Sequence, residues 1–158
     1  MLLGLDFDNT LICYDELIHK VALEKNLIPA LLPAKKIAVR DYLRFENMED
    51  EWTRMQGEVY GGRIMEAVPY EGMFETLFSL KKTGYEMCLV SHKTRTPYLG
   101  QSYDLHQSAR DWLGAHRFYE ESGLNWNDNQ TFFELTMEDK VRRIVSLGCT
   151  HYIDDLPE

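Results

Sequence analysis

The sequence predicts an α/β fold built on a parallel sheet. Four short apolar, strand-like runs alternate with stretches of helical periodicity along the 158 residues. The residues able to do chemistry fall just past the ends of these runs: Asp6 and Asp8, Ser91, and Asp154 with Asp155. In an open parallel sheet, that edge is where ligands bind. Three independent strand ends carrying such groups are far less expected by accident than one.

The first run, Leu2 to Leu5, leads into Asp6-Phe7-Asp8-Asn9-Thr10. Asp6 and Asp8 are two apart, so an extended chain sets their carboxylates side by side, where they repel by roughly 4 kcal/mol at an effective dielectric of about 20. Such a pair calls for a cation or a task. The plainer alternative is a strand running into an Asx turn at Asp8-Asn9-Thr10. From Asp15 to Asn26, Leu17, Ile18, Val21 and Ala22 recur at helical spacing. Pro29 and Pro33 punctuate a connector. Two more helical stretches lie between Ala34 and about Met65, the second carrying Trp52, Met55 and Val59 and broken by Gly61-Gly62. Residues 14–66 therefore read as a helical insertion, and 1–13 with 67–158 as the core.

Pro69 to Gly72 opens a helix with Phe74, Leu77, Phe78 and Leu80, which Gly84 stops. Tyr85 to Val90 is the second strand, ending at Ser91-His92-Lys93-Thr94. Residues 95–103 read as a loop, and Asp104 as the cap of a helix through His116. Thr131 to Phe133 is the third strand. Thr136 and Asp139 stand at nearly capping-box spacing before a helix with Val141, Ile144 and Val145, ended by Gly148. Cys149 to Ile153 is the fourth strand and runs into Asp154-Asp155.

A net charge of -9 argues against a nucleic-acid partner, which needs clustered Lys and Arg. It suits an acidic site that recruits a divalent cation. Cys13, Cys88 and Cys149 form neither a CxxC pair nor a zinc spacing, so a reduced, cytoplasmic compartment is the expectation. No signal-peptide pattern and no membrane-length apolar run is present, so no membrane partner is expected.

An ionised Asp is a usable nucleophile toward phosphorus if the phosphoryl charge is neutralised. Asp6, Asp154 and Asp155 are hard oxygen ligands suited to Mg2+. Lys140 begins a helix near the strand ends, Ser91 and Thr10 offer hydroxyls, and Asp8 is placed to protonate a leaving group and later deprotonate water.

These residues resemble the haloacid dehalogenase (HAD) superfamily of aspartate-nucleophile phosphohydrolases. Asp6-Phe7-Asp8-Asn9-Thr10 is similar to its first motif, DxDxT, and Ser91 after an apolar strand to its second. Lys140 is similar to the third and Asp154-Asp155 to the fourth. The resemblance spans nearly the whole chain. It implies a Rossmann-like three-layer sandwich with a short parallel sheet in the order 4-1-2-3, plus a small helical cap at 14–66 that selects substrates. It implies that Asp6 is the nucleophile, Asp8 the general acid/base, and Lys140 the neutralising cation. By the resemblance Ser91 would bind the phosphoryl oxygens and Thr10 would steady the motif loop; Thr10, by its hydroxyl, and His92, by its place after Ser91, are the further phosphate-binding candidates. Asp6, Asp8 (through its carbonyl), Asp154 and Asp155 would hold Mg2+. The expected substrate is a small phosphorylated metabolite.

Two features depart from the family. The fourth motif falls close to the last residue, so the fourth strand is expected on an exposed edge, with two alternatives: a homodimer covers it, or the chain is a piece of a longer protein. Lys140 also lies close to Asp154 in sequence, which leaves Lys93 as a rival for the lysine role. Competing classes are a receiver-like phospho-acceptor module, and a phosphomutase or dehalogenase on the same fold. A receiver places its phosphorylated Asp at a later strand end, where this chain has Ser91. A dehalogenase would leave the acidic doublet unexplained.

Overall fold

The computed structural model describes residues 1–156. In chain order the elements are β1 (Leu2–Leu5), β2 (Ile12–Cys13), α1 (Asp15–Glu24), α2 (Lys36–Phe45), α3 (Glu49–Tyr60), β3 (Val68–Pro69), α4 (Met73–Lys82), β4 (Glu86–His92), α5 (Leu105–Ala115), β5 (Thr131–Glu134), α6 (Met137–Leu147) and β6 (His151–Ile153), with short 3-10 turns at Ile64–Glu66 and Asp128–Gln130. The fold is α/β with a parallel four-stranded sheet, ordered β5-β4-β1-β6. The label departs from the expected 4-1-2-3 because β2 and β3 enter the count. At two residues each they are too short to leave a period-2 trace in sequence. Counted over the sheet strands alone, the neighbours run fourth, first, second, third.

The chain divides into two compact units. One comprises Met1–Ile12, Pro69–Thr94 and the chain from Arg110 onward, and contains the four-stranded sheet. Met87 to Ser91 of β4 are all buried, the continuous run expected of a strand covered on both faces. Phe7 is fully buried, edge-on to Trp112 at 5.6 Å and to Phe133 at 5.9 Å. Beyond the predicted strand end, β4 continues through Ser91 and His92, which pair with Phe133 and Glu134 of β5.

The other unit comprises Cys13–Val68 and Arg95–Ala109. Its core is Tyr14, Leu17, Ile18, Val21, Val39, Leu43, Trp52, Met55 and Val59, contributed by α1, α2, α3 and the residue before α1. Residues 95–109, read from sequence as part of the core domain, belong here. Glycines of the α3 region make the room: a Cβ on Gly57 would stand 2.6 Å from Pro97, and one on Gly61 2.5 Å from the Tyr103 ring. Gly61-Gly62, read from sequence as a helix break, is thus also the seat of an aromatic ring. Gly61→Ala should cost about 1–3 kcal/mol by overpacking against Tyr103, read as a lower urea midpoint with unchanged slope.

Candidate active site

The site grows from the residues that follow β1. The Asp6 amide donates to Ile153 O at 2.9 Å, extending the pairing of β1 with β6, so Asp6 and Asp154 emerge side by side. The chain then folds back on itself. Phe7 O accepts from the amides of Thr10, Leu11 and Ile12 at 3.0–3.3 Å, and Asn9 takes φ +58°, a left-handed conformation that Asn tolerates well.

Helix α6 delivers the cation. Thr136 caps it by accepting from the Asp139 amide at 3.1 Å, and Gly148 closes it at φ +72°. Lys140 is the one buried residue of this helix. Its Nζ donates to Asp6 Oδ1 at 3.0 Å and to Asp154 Oδ2 at 2.7 Å. The floor under it is Tyr152, whose ring lies 5.4 Å from Lys140 Nζ and whose hydroxyl donates to Val90 O. That ring fits because residue 4 is glycine: a Cβ there would lie 2.6 Å from it.

Burial is the largest influence on Asp6 and pushes its carboxyl up to about 6, against the lowering pull of Lys140 and the nearby Ser91 hydroxyl; the Asp8 charge adds a further upward push. At Asp154, burial also pushes upward, but Lys140 and the Leu156 amide prevail and the carboxyl sits below its ordinary value. At Lys140, burial is outweighed by Asp154 and Asp6, and the ammonium is held above its ordinary range.

One carboxylate oxygen each from Asp6, Asp154 and Asp155 lie within 4.8 Å of one another. Three hard oxygen donors are the kind of ligand that a divalent cation such as Mg2+ takes. Protons compete with a metal for Asp6. Affinity for Mg2+ should therefore be flat above about pH 7 and fall about tenfold per pH unit below about 6, as calorimetry across that range would read.

Thr10 Oγ1 and Ser91 Oγ are both buried without a hydrogen bond of good geometry, although the Ser91 hydroxyl stands close enough to Asp6 to lower its carboxyl. A buried hydroxyl left so is costly unless something binds there. At Asp8, Lys93 Nζ donates to both carboxylate oxygens, at 2.9 and 2.7 Å. The two lysines that sequence reading set as rivals thus stand on different carboxylates. His92 is not brought to this cluster. It is exposed, and strand alternation sends it to the opposite side from Ser91 and Lys93, both buried.

Sequence reasoning missed the Lys93–Asp8 pair. Had β4 been extended past Val90, period-2 alternation would have set Ser91 and Lys93 on one face. Tyr152 and Gly4 were missed as well, and nothing local marks them. In the helical unit Trp52 is buried, while Arg40, Arg44 and Arg63 pair with Asp41, Glu49, and Glu24 with Glu66. Arg143 pairs with Glu134 at 2.7 Å.

No protein-family model matches this chain, and comparison with the curated proteins returns no match.

Proposed function

We propose that the chain is a Mg2+-dependent phosphohydrolase of the haloacid dehalogenase type, acting on a small phosphorylated metabolite through an aspartyl phosphate on Asp6. One observation carries the reading. A buried carboxylate, the Lys140 ammonium, two further acidic oxygens and the buried Ser91 hydroxyl beside Asp6 converge at one end of the sheet. Few tasks other than phosphoryl transfer need a nucleophile, an anion pocket and a divalent-cation site together.

Asp6, Asp154 and Asp155 would hold the ion. When bound, Mg2+ supplies charge neutralisation and orients the phosphoryl oxygens. The chain's own residues do the rest. Ser91 and Thr10 donate to phosphoryl oxygens, and Lys140 offsets negative charge at Asp6. Asp6 Oδ attacks phosphorus as the ester P–O bond breaks, and Asp8 gives its proton to the departing alkoxide. Water then attacks the aspartyl phosphate, its proton passes to Asp8, and phosphate and free Asp6 are restored. The metabolite class follows the resemblance, in which a helical insertion after the first motif accompanies small substrates. A cytoplasmic setting and a homodimer belong to the same proposal. No helix among the described residues is long and apolar enough to cross a membrane.

The test is hydrolysis of p-nitrophenyl phosphate with Mg2+ and with a chelator in its place. The expected result is turnover only with the metal. Equal turnover in the chelator, or none in either, overturns the reading.

A further inference from the structure

The neutralising role proposed above uses one lysine, yet the site contains two. Lys93 is 4% exposed. Burying an ammonium costs several kcal/mol unless it is bound on arrival, so a second buried cation beside the first is not a neutral feature. Its Nζ stands 2.9 and 2.7 Å from the two oxygens of one carboxylate, Asp8. A contact to both oxygens fixes the plane of the carboxyl group as well as its position, which a contact to one does not.

Lys93 is itself held rigidly. Its amide donates to Glu134 O at 2.8 Å, continuing the pairing of β4 with β5, so the side chain leaves from a sheet position rather than a free loop. The ammonium lies 5.4 Å from the centre of the Phe7 ring. That ring is fixed in turn by Trp112 and Phe133. Phe7 also separates Asp6 from Asp8 in sequence, so the residue between the two carboxylates is the floor for the second lysine. Lys140 meanwhile serves Asp6 and Asp154.

We propose that Lys93 is the positioning residue for Asp8, and that it acts on the second half of turnover. It holds the Asp8 carboxylate oriented to take the proton from the water that hydrolyses the aspartyl phosphate. No atom of Lys93 is transferred. The water O–H bond breaks toward Asp8 as the new P–O bond forms and the bond from Asp6 to phosphorus breaks.

This rests on the phosphohydrolase reading, and its kinetics separate the two. With p-nitrophenyl phosphate the leaving group departs readily without an acid, so kcat/KM reports attack by Asp6, and kcat reports breakdown of the phosphoenzyme. Lys93→Met should lower kcat by on the order of 10²-fold, the lower end of what a positioned base supplies, with KM falling in parallel and kcat/KM within about threefold of wild type. Rapid quench should show a burst of p-nitrophenol, and intact mass a phosphoryl group on the chain. In an Asp8→Asn background, Lys93→Met should change kcat by less than about twofold, because a residue acting only through Asp8 has nothing left to act on.

A parallel drop in kcat and kcat/KM with no burst, or full additivity with Asp8→Asn, overturns the assignment while leaving the phosphohydrolase reading intact. An inactive wild type removes both. Where Lys93→Met does not fold, Lys93→Gln, whose amide keeps one donor to Asp8, is read by the same criteria.

Discussion

Asp6→Asn should abolish the proposed turnover, by on the order of 10⁴-fold or more in kcat, in a protein that still folds. The amide has the same shape but neither the charge nor the lone-pair reactivity that attack on phosphorus demands. Stability is expected to separate this from damage to the fold. Burial raises the Asp6 carboxyl to about 6 from the ordinary 3.8. A folded-state value above the unfolded one means that stability is fully present below about pH 4 and is lost as pH rises through about 6. The loss in the metal-free wild type is on the order of 3 kcal/mol by pH 8. The Asn variant escapes that loss. It should melt no lower than metal-free wild type at pH 8 and should no longer gain as the pH is lowered through 6. Retained turnover would remove Asp6 as nucleophile; a collapsed melting temperature would make the activity loss uninformative.

Lys140→Met should be the most damaging substitution for the fold of the site. Lys140 bonds the buried Asp6 and the half-buried Asp154, and removing it leaves both carboxylates without their shared cation. Breaking such a buried pair costs about 3–5 kcal/mol. The sign of the pH dependence identifies the cause. Without Lys140, Asp6 loses its main lowering influence, so its carboxyl rises further and the penalty grows with pH. Urea unfolding at about pH 5 and pH 8 should therefore show a clearly larger loss at the higher pH. Equal losses at both would assign the effect to packing of the aliphatic stem. Added Mg2+ should restore part of the loss at pH 8, because the acidic triad remains.

Much of this arrangement is legible along the chain. β1, β5 and β6 announce themselves as apolar runs, and the residues beyond β1 and β6 carry the acid that a strand interior excludes. Thr136 and Gly148 bound α6 by local chemistry, a hydroxyl cap and a left-handed glycine, so Lys140 could be assigned to a helix without coordinates. The direction of His92 turns on an equally local feature, since the apolar run ends at Val90 but pairing with β5 carries the strand on through His92. Two extra residues of strand turn a loop of undefined directions into strict alternation, sending Ser91 and Lys93 one way and His92 the other.

Other features have no local trace. Residues 95–109 carry Pro97 and Gly100 and look like any connector, yet they lie in the helical unit because Gly57, Gly61 and Gly62 leave space for Pro97 and Tyr103. Gly4 looks like a weak point in a strand until the Tyr152 ring is seen filling its place.

The order of residues alone was enough to name the alternation of strands and helices, the strand ends that carry chemistry, and the acidic groups found there. Those follow from short-range rules, in which period, caps and turns involve neighbours within a few positions. Which lysine meets which carboxylate was settled only by packing. Lys93 and Asp8 are 85 positions apart, and Lys140 and Asp6 are 134 apart. A pairing across such spans is decided by strand register and by the rings that floor the site, and neither is written in any one segment.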